Sequence, residues 1–141
     1  MTFQNFIFFF IASALTLFSC KASNETKFSI AKIDSSTKPI AISIDDLARS
    51  YKKFHGQIIE TSGRYYLSEE NFSISSEKDS LTGRIERFWL DVDPRLKFSK
   101  SVRKMNGQII KVKGIIDTTF HGHMHQYLAT IGKIYYWELK Y

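Results

Sequence analysis

The chain has 141 residues, 43% of them hydrophobic, which suits one domain with a modest core plus a targeting segment. Its single cysteine, Cys20, excludes an intramolecular disulfide. The formal net charge of +6 lies downstream of residue 19, because residues 1–19 contain no Lys, Arg, Asp or Glu. This charge predicts attraction to anionic partners such as lipid headgroups, glycans or nucleic acid, without selecting among them.

The N-terminal segment predicts export across a membrane. Phe3 to Phe18 is almost wholly apolar, and small Ser19 follows it directly before Cys20. A short apolar core that ends in small residues is typical of a cleaved secretory signal. The alternative is an uncleaved anchor, for which about 18–20 apolar residues are needed. The position of Cys20, where the apolar run stops, favours cleavage.

The end of this segment resembles the lipobox of bacterial lipoproteins, with Leu17 three residues before Cys20 and Ser19 directly before it. The resemblance implies that the Cys20 thiol receives a diacylglycerol, and that cleavage leaves Cys20 as the acylated, palmitate-bearing N-terminus. Phe-rich signals of this kind are common in Bacteroidetes lipoproteins. We therefore expect a signal peptide over residues 1–19, a lipidated cysteine and flexible tether over 20–39, and a folded domain over 40–141.

A short helix is predicted at the start of the domain. Ser43 can cap it, and Asp45 and Asp46 favour its positive end. Apolar residues then recur at spacings of three and four, which makes one apolar face: Ile44, Leu47, Tyr51 and Phe54. Gly56 ends the helical pattern.

The sequence then shows a repeat. Gly56-Gln57-Ile58-Ile59 recurs as Gly107-Gln108-Ile109-Ile110, and a second glycine follows each copy, at Gly63 and Gly114. Alternation within each copy predicts a long strand that bends at the second glycine, with Ile59 and Ile110 facing inward. Chance similarity between two β-rich segments is the alternative.

Three further strands are predicted from apolar alternation, at residues 72–75, 84–92 and 126–132, and residues 135–139 either extend the last or form another short strand. Residues 96–106 are basic and compatible with a helix. An OB-fold, which is a five-stranded Greek-key barrel, has this order of three strands, a helical connector and two strands. In that fold the first strand pairs with both the second and the fourth, and the repeat falls on the first and the fourth. The predicted fold class is therefore all-β with one or two short helices.

Over about residues 43–139 the sequence resembles the small bacterial, Bacteroidetes-type OB-fold lipoproteins related to the tRNA-anti-like superfamily. The resembling stretches are residues 51–56, the two Gly-Gln-Ile-Ile strands and residues 121–131. The superfamily name reflects nucleic-acid-binding relatives, whereas its lipoprotein members largely lack an assigned function. The resemblance thus implies a fold and a location more than an activity.

The histidines are the first candidate site. His121, His123 and His125 alternate, so an extended strand would place three imidazoles on one side, about 6–7 Å apart. Such a pattern can bind zinc or copper, and His55 could add a ligand if the helix end lies nearby. The alternative is that Gly122 turns the chain and breaks the alternation, which leaves a polar loop whose histidines hydrogen-bond to the barrel backbone. No other cofactor is expected.

Aromatic residues interleaved with cations are the second candidate site. The aromatic set is Tyr65, Trp89, Tyr127 and Trp137, and the cations are Arg64, Arg87, Lys111 and Lys113. In cytoplasmic OB-folds aromatics stack on bases and cations follow phosphates. Export makes nucleic acid a rare partner, and the aromatics could instead fill the barrel. We assign Tyr65, Arg87, Trp89 and Tyr127 to a ligand face at strands two and three and the loops beside them.

The sequence carries no nucleophile elbow, phosphate-binding loop or dinucleotide fingerprint, so we expect no enzymatic activity. The leading hypothesis is an envelope lipoprotein that presents a non-catalytic binding domain to the periplasm or the cell surface. Its partner would be an unidentified ligand or envelope protein. Metal binding through the histidines and binding of single-stranded nucleic acid are the alternatives.

Overall fold

A computed structural model describes residues 37–76, 85–93, 95 and 99–140, so the predicted signal segment and Cys20 lie outside the described residues. The described strands are β1 Ile40–Ala41, β2 Ile58–Leu67, β3 Phe72–Ser75, β4 Arg87–Leu90, β5 Ile109–Asp117 and β6 Thr130–Leu139. The helices are α1 Ile44–Ser50 and α2 Lys100–Lys104, and 3₁₀ turns lie at Tyr51–Phe54 and His123–His125. No helix in this part of the chain is long and apolar enough to cross a bilayer.

Strands β2 to β6 close into a five-stranded barrel. The antiparallel pairs are β2–β3, β3–β4, β5–β6 and β2–β5, and β4 pairs with β6 in parallel. The first strand of the barrel, β2, therefore pairs with the second and the fourth, as the OB-fold prediction requires. The prediction of an all-β, OB-fold-like barrel is confirmed. The two-residue strand β1, which was not predicted, joins the edge of β2 in parallel.

The two copies of the repeat lie side by side on β2 and β5, related by a local two-fold. Ile59 of the first copy stands opposite Gly114 of the second, and Ile110 stands opposite Gly63. Both isoleucines are fully buried, as predicted. Each copy therefore places its second glycine against the inward isoleucine of the other.

The same two-fold relates the hydrogen bonds at the ends of the two copies. The Gly56 N–H donates to the Ile116 carbonyl at 2.8 Å, and the Gly107 N–H donates to the Tyr65 carbonyl at 2.8 Å. Both glycines end a helical segment with a positive φ, +73° and +80°, a conformation that side-chain-bearing residues rarely adopt. Each first glycine is thus a turn residue that starts its strand.

Helix α1 forms as the sequence predicts. The Ser43 hydroxyl accepts the Asp46 N–H at 3.1 Å, which caps the helix. Ile44 and Leu47 are buried in the core, and the Tyr51 ring meets Phe88 edge-on at 6.3 Å. The helix is therefore held by its apolar face, because its seven residues are too few for a stable helix alone.

Several predicted boundaries differ from the structure. β4 covers Arg87–Leu90 rather than 84–92, and β6 begins at Thr130 rather than at residue 126. β6 runs without a break to Leu139, so residues 135–139 extend the final strand. Residues 126–127 stay out of β6 because they fold back into the preceding loop, where the Gln126 N–H donates to the His123 carbonyl at 3.3 Å, whereas the backbone of residues 128–129 bonds to β4.

Candidate ligand-binding face

The outer surface of β3, β4 and the end of β2 at Tyr66, together with loops 68–71 and 118–129, is the surface that we call the loop face. On it Tyr66 stands opposite Ser73, and Ser73 stands opposite Trp89. Small Ser73 is fully buried between these two half-buried aromatic side chains. The guanidinium of Arg87 lies 5.6 Å from the centre of the Tyr66 ring, a cation–π contact that spans the short strand β3.

The two loops of this face are joined by polar contacts. The Tyr127 hydroxyl donates to the Asn71 side-chain oxygen at 3.2 Å, and the Ser73 hydroxyl donates to the same oxygen at 2.6 Å. Burial raises the pKa of Tyr127 by more than the nearby Arg87 lowers it, so the pKa lies above its usual value. The neutral, hydrogen-bond-donating form of the phenol is therefore favoured at neutral pH. Asn71 thus ties loop 68–71 to loop 118–129.

Gly122 seats the longer loop on an aromatic pair. The Trp89 and Tyr127 rings meet edge-on at 5.2 Å. A Cβ on Gly122 would lie 2.6 Å from Cδ2 of Tyr127 and 2.8 Å from Cβ of Trp89, closer than such atoms approach. Gly122 also has a φ of +65°. Only glycine fits both the space and the backbone conformation, so the loop follows the aromatic pair closely.

The expectation of an extended histidine segment is wrong. Residues His123–His125 form a 3₁₀ turn, with positive φ values of 53° at Met124 and 56° at His125. The physical reason is the left-handed Gly122, which turns the chain and breaks the alternation that would have aligned three imidazoles. Within the described residues no group of three His, Cys, Asp or Glu side chains is placed to hold a metal ion.

The four histidines make different contacts. His121 Nδ1 lies 3.1 Å from the Tyr127 carbonyl and 2.9 Å from the Leu128 carbonyl, and its ring centroid lies 6.3 Å from that of His125. His123 Nε2 lies 3.7 Å from Oε2 of Glu70. His55 Nδ1 accepts the Thr118 N–H at 3.2 Å, at the start of loop 118–129. The structure thus pairs His121 with His125 and gives His55 a separate structural partner.

The assignment of Tyr65 to the ligand face is wrong. Tyr65 is fully buried, and its ring packs edge-on against Phe72 at 5.5 Å and Trp137 at 5.3 Å. Its hydroxyl has no hydrogen-bond partner within the described part of the chain, and burial raises its pKa. The reason is strand parity, because Tyr65 lies an even number of residues from inward Ile59.

Trp137 is likewise a core residue rather than a surface aromatic. It is 1% exposed, and its indole Nε1–H donates to Sδ of Met105 at 2.7 Å. The remaining members of the predicted ligand face, Arg87, Trp89 and Tyr127, do come together on the loop face. The sequence reading missed Tyr66 and Asn71, although the parity that places Tyr65 inside places Tyr66 outside.

The predicted cations Lys111 and Lys113 lie on the other side of the barrel. Lys111 pairs with Glu138 at 2.8 Å, and this bond raises its pKa, while Lys113 pairs with Glu60 at 2.8 Å. A groove of about 700 Å³ runs over this surface beside residues 41–45, and another of about 450 Å³ lies near His55 and Phe120. We favour the loop face over the larger groove because Lys111, which lines that groove, already pairs with Glu138.

The fold and the loop face define the class of the protein as an OB-fold-like β-barrel domain. No protein family and no curated protein matches the chain. Among solved structures, the chain is similar to a protein from Leishmania major Friedlin assigned as an aspartyl-tRNA synthetase, with 10% identity and a TM-score of 0.45. The similarity covers 79% of this chain and 23% of that chain, so it spans less than a quarter of that protein. A likeness at this level carries no argument about function.

Proposed function

We propose that the protein is a non-catalytic binding module held on a bacterial envelope membrane by an acylated Cys20, with its ligand bound at the loop face. The observation that carries the binding part is the convergence of Arg87, Trp89 and Tyr127 where the two loops meet. The anchoring part is supported by the sequence Leu17-Phe18-Ser19-Cys20. The domain would face the periplasm or the cell surface, and its ligand or protein partner is unidentified.

The loop face suits binding because its side chains are already held in place. Trp89 packs against Tyr127, and Tyr127 is fixed in turn by its hydrogen bond to Asn71. Ordering a flexible side chain on binding costs about 0.5–1.5 kcal/mol, so a fixed surface loses less free energy when it meets a ligand. Aromatic and arginine side chains also dominate the strongest contacts of protein interfaces.

We propose binding without catalysis because the sequence carries no nucleophile elbow, phosphate-binding loop or dinucleotide fingerprint. The carboxylates of Asp46 and Asp93, whose pKa values are lowered, lie in ion pairs with Arg49 and Arg95 away from the loop face.

The anchor is tested by replacing Cys20 with serine. Two or more acyl chains hold a protein stably on a bilayer, because each buried CH₂ contributes about 0.8 kcal/mol. We expect wild-type protein labelled with an alkyne palmitate analogue to fractionate with membranes, and Cys20→Ser to lose the label and accumulate unprocessed. Membrane retention of unlabelled wild-type protein would instead indicate an uncleaved anchor.

The loop face is tested through tryptophan fluorescence. Of the two tryptophans, Trp89 is half-buried and Trp137 is 1% exposed, so acrylamide should quench mainly Trp89. Envelope extracts that contain the ligand should protect wild-type protein from quenching and should protect Arg87→Ala, which keeps both tryptophans, much less. Equal protection in both proteins would place the ligand elsewhere.

Binding of single-stranded nucleic acid is the second candidate, and the half-buried Trp89 on the same strand as exposed Arg87 favours it. Stacking of one base on an aromatic side chain contributes about 1–3 kcal/mol. Oligothymidylate would then quench Trp89 at micromolar protein concentration, and added salt would weaken the effect. The predicted export to the envelope argues against this partner.

A further inference from the structure

We propose that His121, Met124 and His125 form a site for one soft monovalent metal ion, with Cu(I) as the biological example. The site lies on the turn of loop 118–129 and uses side chains other than the aromatic ones of the loop face. It therefore stands whether or not the loop face binds the ligand proposed above.

The first observation is the orientation of His121. Its Nδ1 lies 3.1 Å and 2.9 Å from two backbone carbonyl oxygens, which can only accept, so Nδ1 carries the proton. In the neutral ring Nε2 is then left with a free lone pair. Metal-binding histidines almost always use one ring nitrogen for the metal and donate the other N–H to a carbonyl or carboxylate. His121 is already held in that arrangement.

The second observation is the distance between His121 and His125. A metal–nitrogen bond is about 2.0–2.1 Å and the ring centroid lies ~1.1 Å behind the nitrogen, so two imidazoles on opposite sides of one ion have centroids about 6.3 Å apart. The observed separation is 6.3 Å. A third ligand in the same plane would bring the two centroids to about 5.5 Å. The two rings therefore lie within about 1 Å of the spacing at which they can bind one ion together with Met124.

The third observation is Met124, which lies between His123 and His125 in the sequence and is 69% exposed. The remaining methionine of the domain, Met105, is buried in the core, where its sulfur accepts from Trp137. Thioether sulfur selects Cu(I) over harder ions such as Zn(II). An exposed methionine beside a histidine pair is therefore a ligand set for a soft ion.

The backbone of the turn supports a functional reading. Met124 and His125 are both left-handed, and residues with a side chain rarely adopt this conformation. Strained conformations of this kind cluster at ligand sites. Because His121 bonds to the Tyr127 carbonyl and the Tyr127 hydroxyl bonds to Asn71, an ion held by the turn would also steady both loops of the loop face.

The experiment titrates the full chain, purified in detergent without a histidine tag, with Cu(I) under reducing and oxygen-free conditions. Bicinchoninate serves as the competing chromophore. We expect wild-type protein to withdraw one Cu(I) per chain from the chromophore. His125→Asn and Met124→Leu should each weaken the affinity by about tenfold or more, since even outer partners of a metal site contribute 10–100-fold. Affinity should also fall at acidic pH, because imidazole binds metals only when unprotonated.

His55→Asn is the matched control, since His55 bonds to Thr118 and belongs to no part of the site, and it should bind Cu(I) like wild type. His121→Asn is read together with its thermal melting curve, because His121 also holds the loop. His125 has no hydrogen-bonding role among the described contacts apart from its turn N–H, so His125→Asn tests the site without that complication. Failure of wild-type protein to withdraw Cu(I), or unchanged affinity in His125→Asn, would overturn the proposal.

Discussion

Gly63 is the position where the barrel should tolerate a methyl group least. An added Cβ would lie 2.5 Å from the Ser75 carbonyl oxygen and 2.9 Å from Cγ1 of Ile74. The carbonyl belongs to the backbone of β3 and cannot rotate away, so Gly63→Ala must push β2 and β3 apart where they meet. Overpacking of this kind costs about 1–3 kcal/mol, and the lower entropy of the unfolded alanine chain returns about 0.4–1 kcal/mol.

The net loss in the free energy of unfolding should therefore be about 1–2 kcal/mol, equivalent to a fall in Tm of roughly 5–15 °C for a domain of this size. Gly132→Ala is the matched control, because its Cβ would meet Asp91 atoms at 3.8 Å and 3.9 Å, an ordinary contact distance. We expect Gly132→Ala to stay within about 0.5 kcal/mol of wild type or to be slightly more stable.

Urea unfolding followed by circular dichroism measures both variants, with the slope of the transition checking that the unfolded state is unchanged. The two-fold relation of the repeat adds a second expectation. Gly114→Ala should also destabilise, since its Cβ would lie 2.8 Å from the Gly132 carbonyl oxygen. If Gly63→Ala unfolds at the wild-type urea concentration, or if Gly132→Ala loses as much as Gly63→Ala, the packing argument is refuted.

Three further predictions concern buried and capping groups. Tyr65→Phe should raise the free energy of unfolding by about 1 kcal/mol in urea titrations, because it removes a buried hydroxyl that lacks a hydrogen-bond partner among the described residues. A lower free energy of unfolding would contradict this. Burial raises the pKa of Tyr65 and so favours its neutral phenol in the folded state. The contribution of this pKa difference to the free energy of unfolding is complete below the unfolded pKa of about 10 and is lost as the pH rises further. Wild-type stability should therefore fall above about pH 10 with a steeper slope than that of Tyr65→Phe, and parallel pH profiles would contradict this. Ser43→Ala should lower the free energy of unfolding by about 1 kcal/mol, because the Asp46 N–H loses its cap. Ser62→Ala, on the outer surface of β2, is the control and should change the urea midpoint little. Equal effects of the two substitutions would argue against the cap.

Much of the barrel could be predicted because its long strands alternate regularly. The inward positions of β2 and β5 follow a period of two from Ile59 and from Ile110, and the structure keeps that period through both strands. The same rule, applied strictly, would have put Tyr65 inside and Tyr66 outside. The error at Tyr65 was therefore one of application, since the sequence contained the signal.

Other features could not be predicted from periodicity. Buried apolar residues in β6 fall at Ile131, Ile134 and Trp137, a spacing of three, because the strand is irregular around Lys133, which has a φ of +46°. The register between β5 and β6 also shifts in this region. The inward position of Ile134, an odd number of residues from Ile131, therefore could not be predicted, whereas Trp137, six residues from Ile131, keeps the alternation.

The candidate site depended on long-range contacts. Trp89, Tyr127 and Arg87 were selected by residue type, but their grouping requires the parallel pairing of β4 with β6 and the fold of loop 118–129. The histidine segment was predicted wrongly because the sequence does not show which glycine adopts a positive φ, as Gly122 does. A side chain at position 122 would collide with Trp89, which is more than 30 residues away in the sequence.

The most direct test of the proposed function is photo-crosslinking from the loop face in living cells. Trp89 and Tyr136 are both half-buried aromatics, but Trp89 lies on the loop face and Tyr136 beside Lys113 on the outer surface of β5 and β6. Each is replaced in turn by p-benzoylphenylalanine, and the protein is irradiated while anchored to its membrane. The proposal predicts a discrete crosslinked product from position 89 and none from position 136. Product from position 136 alone, or from neither position, would contradict it.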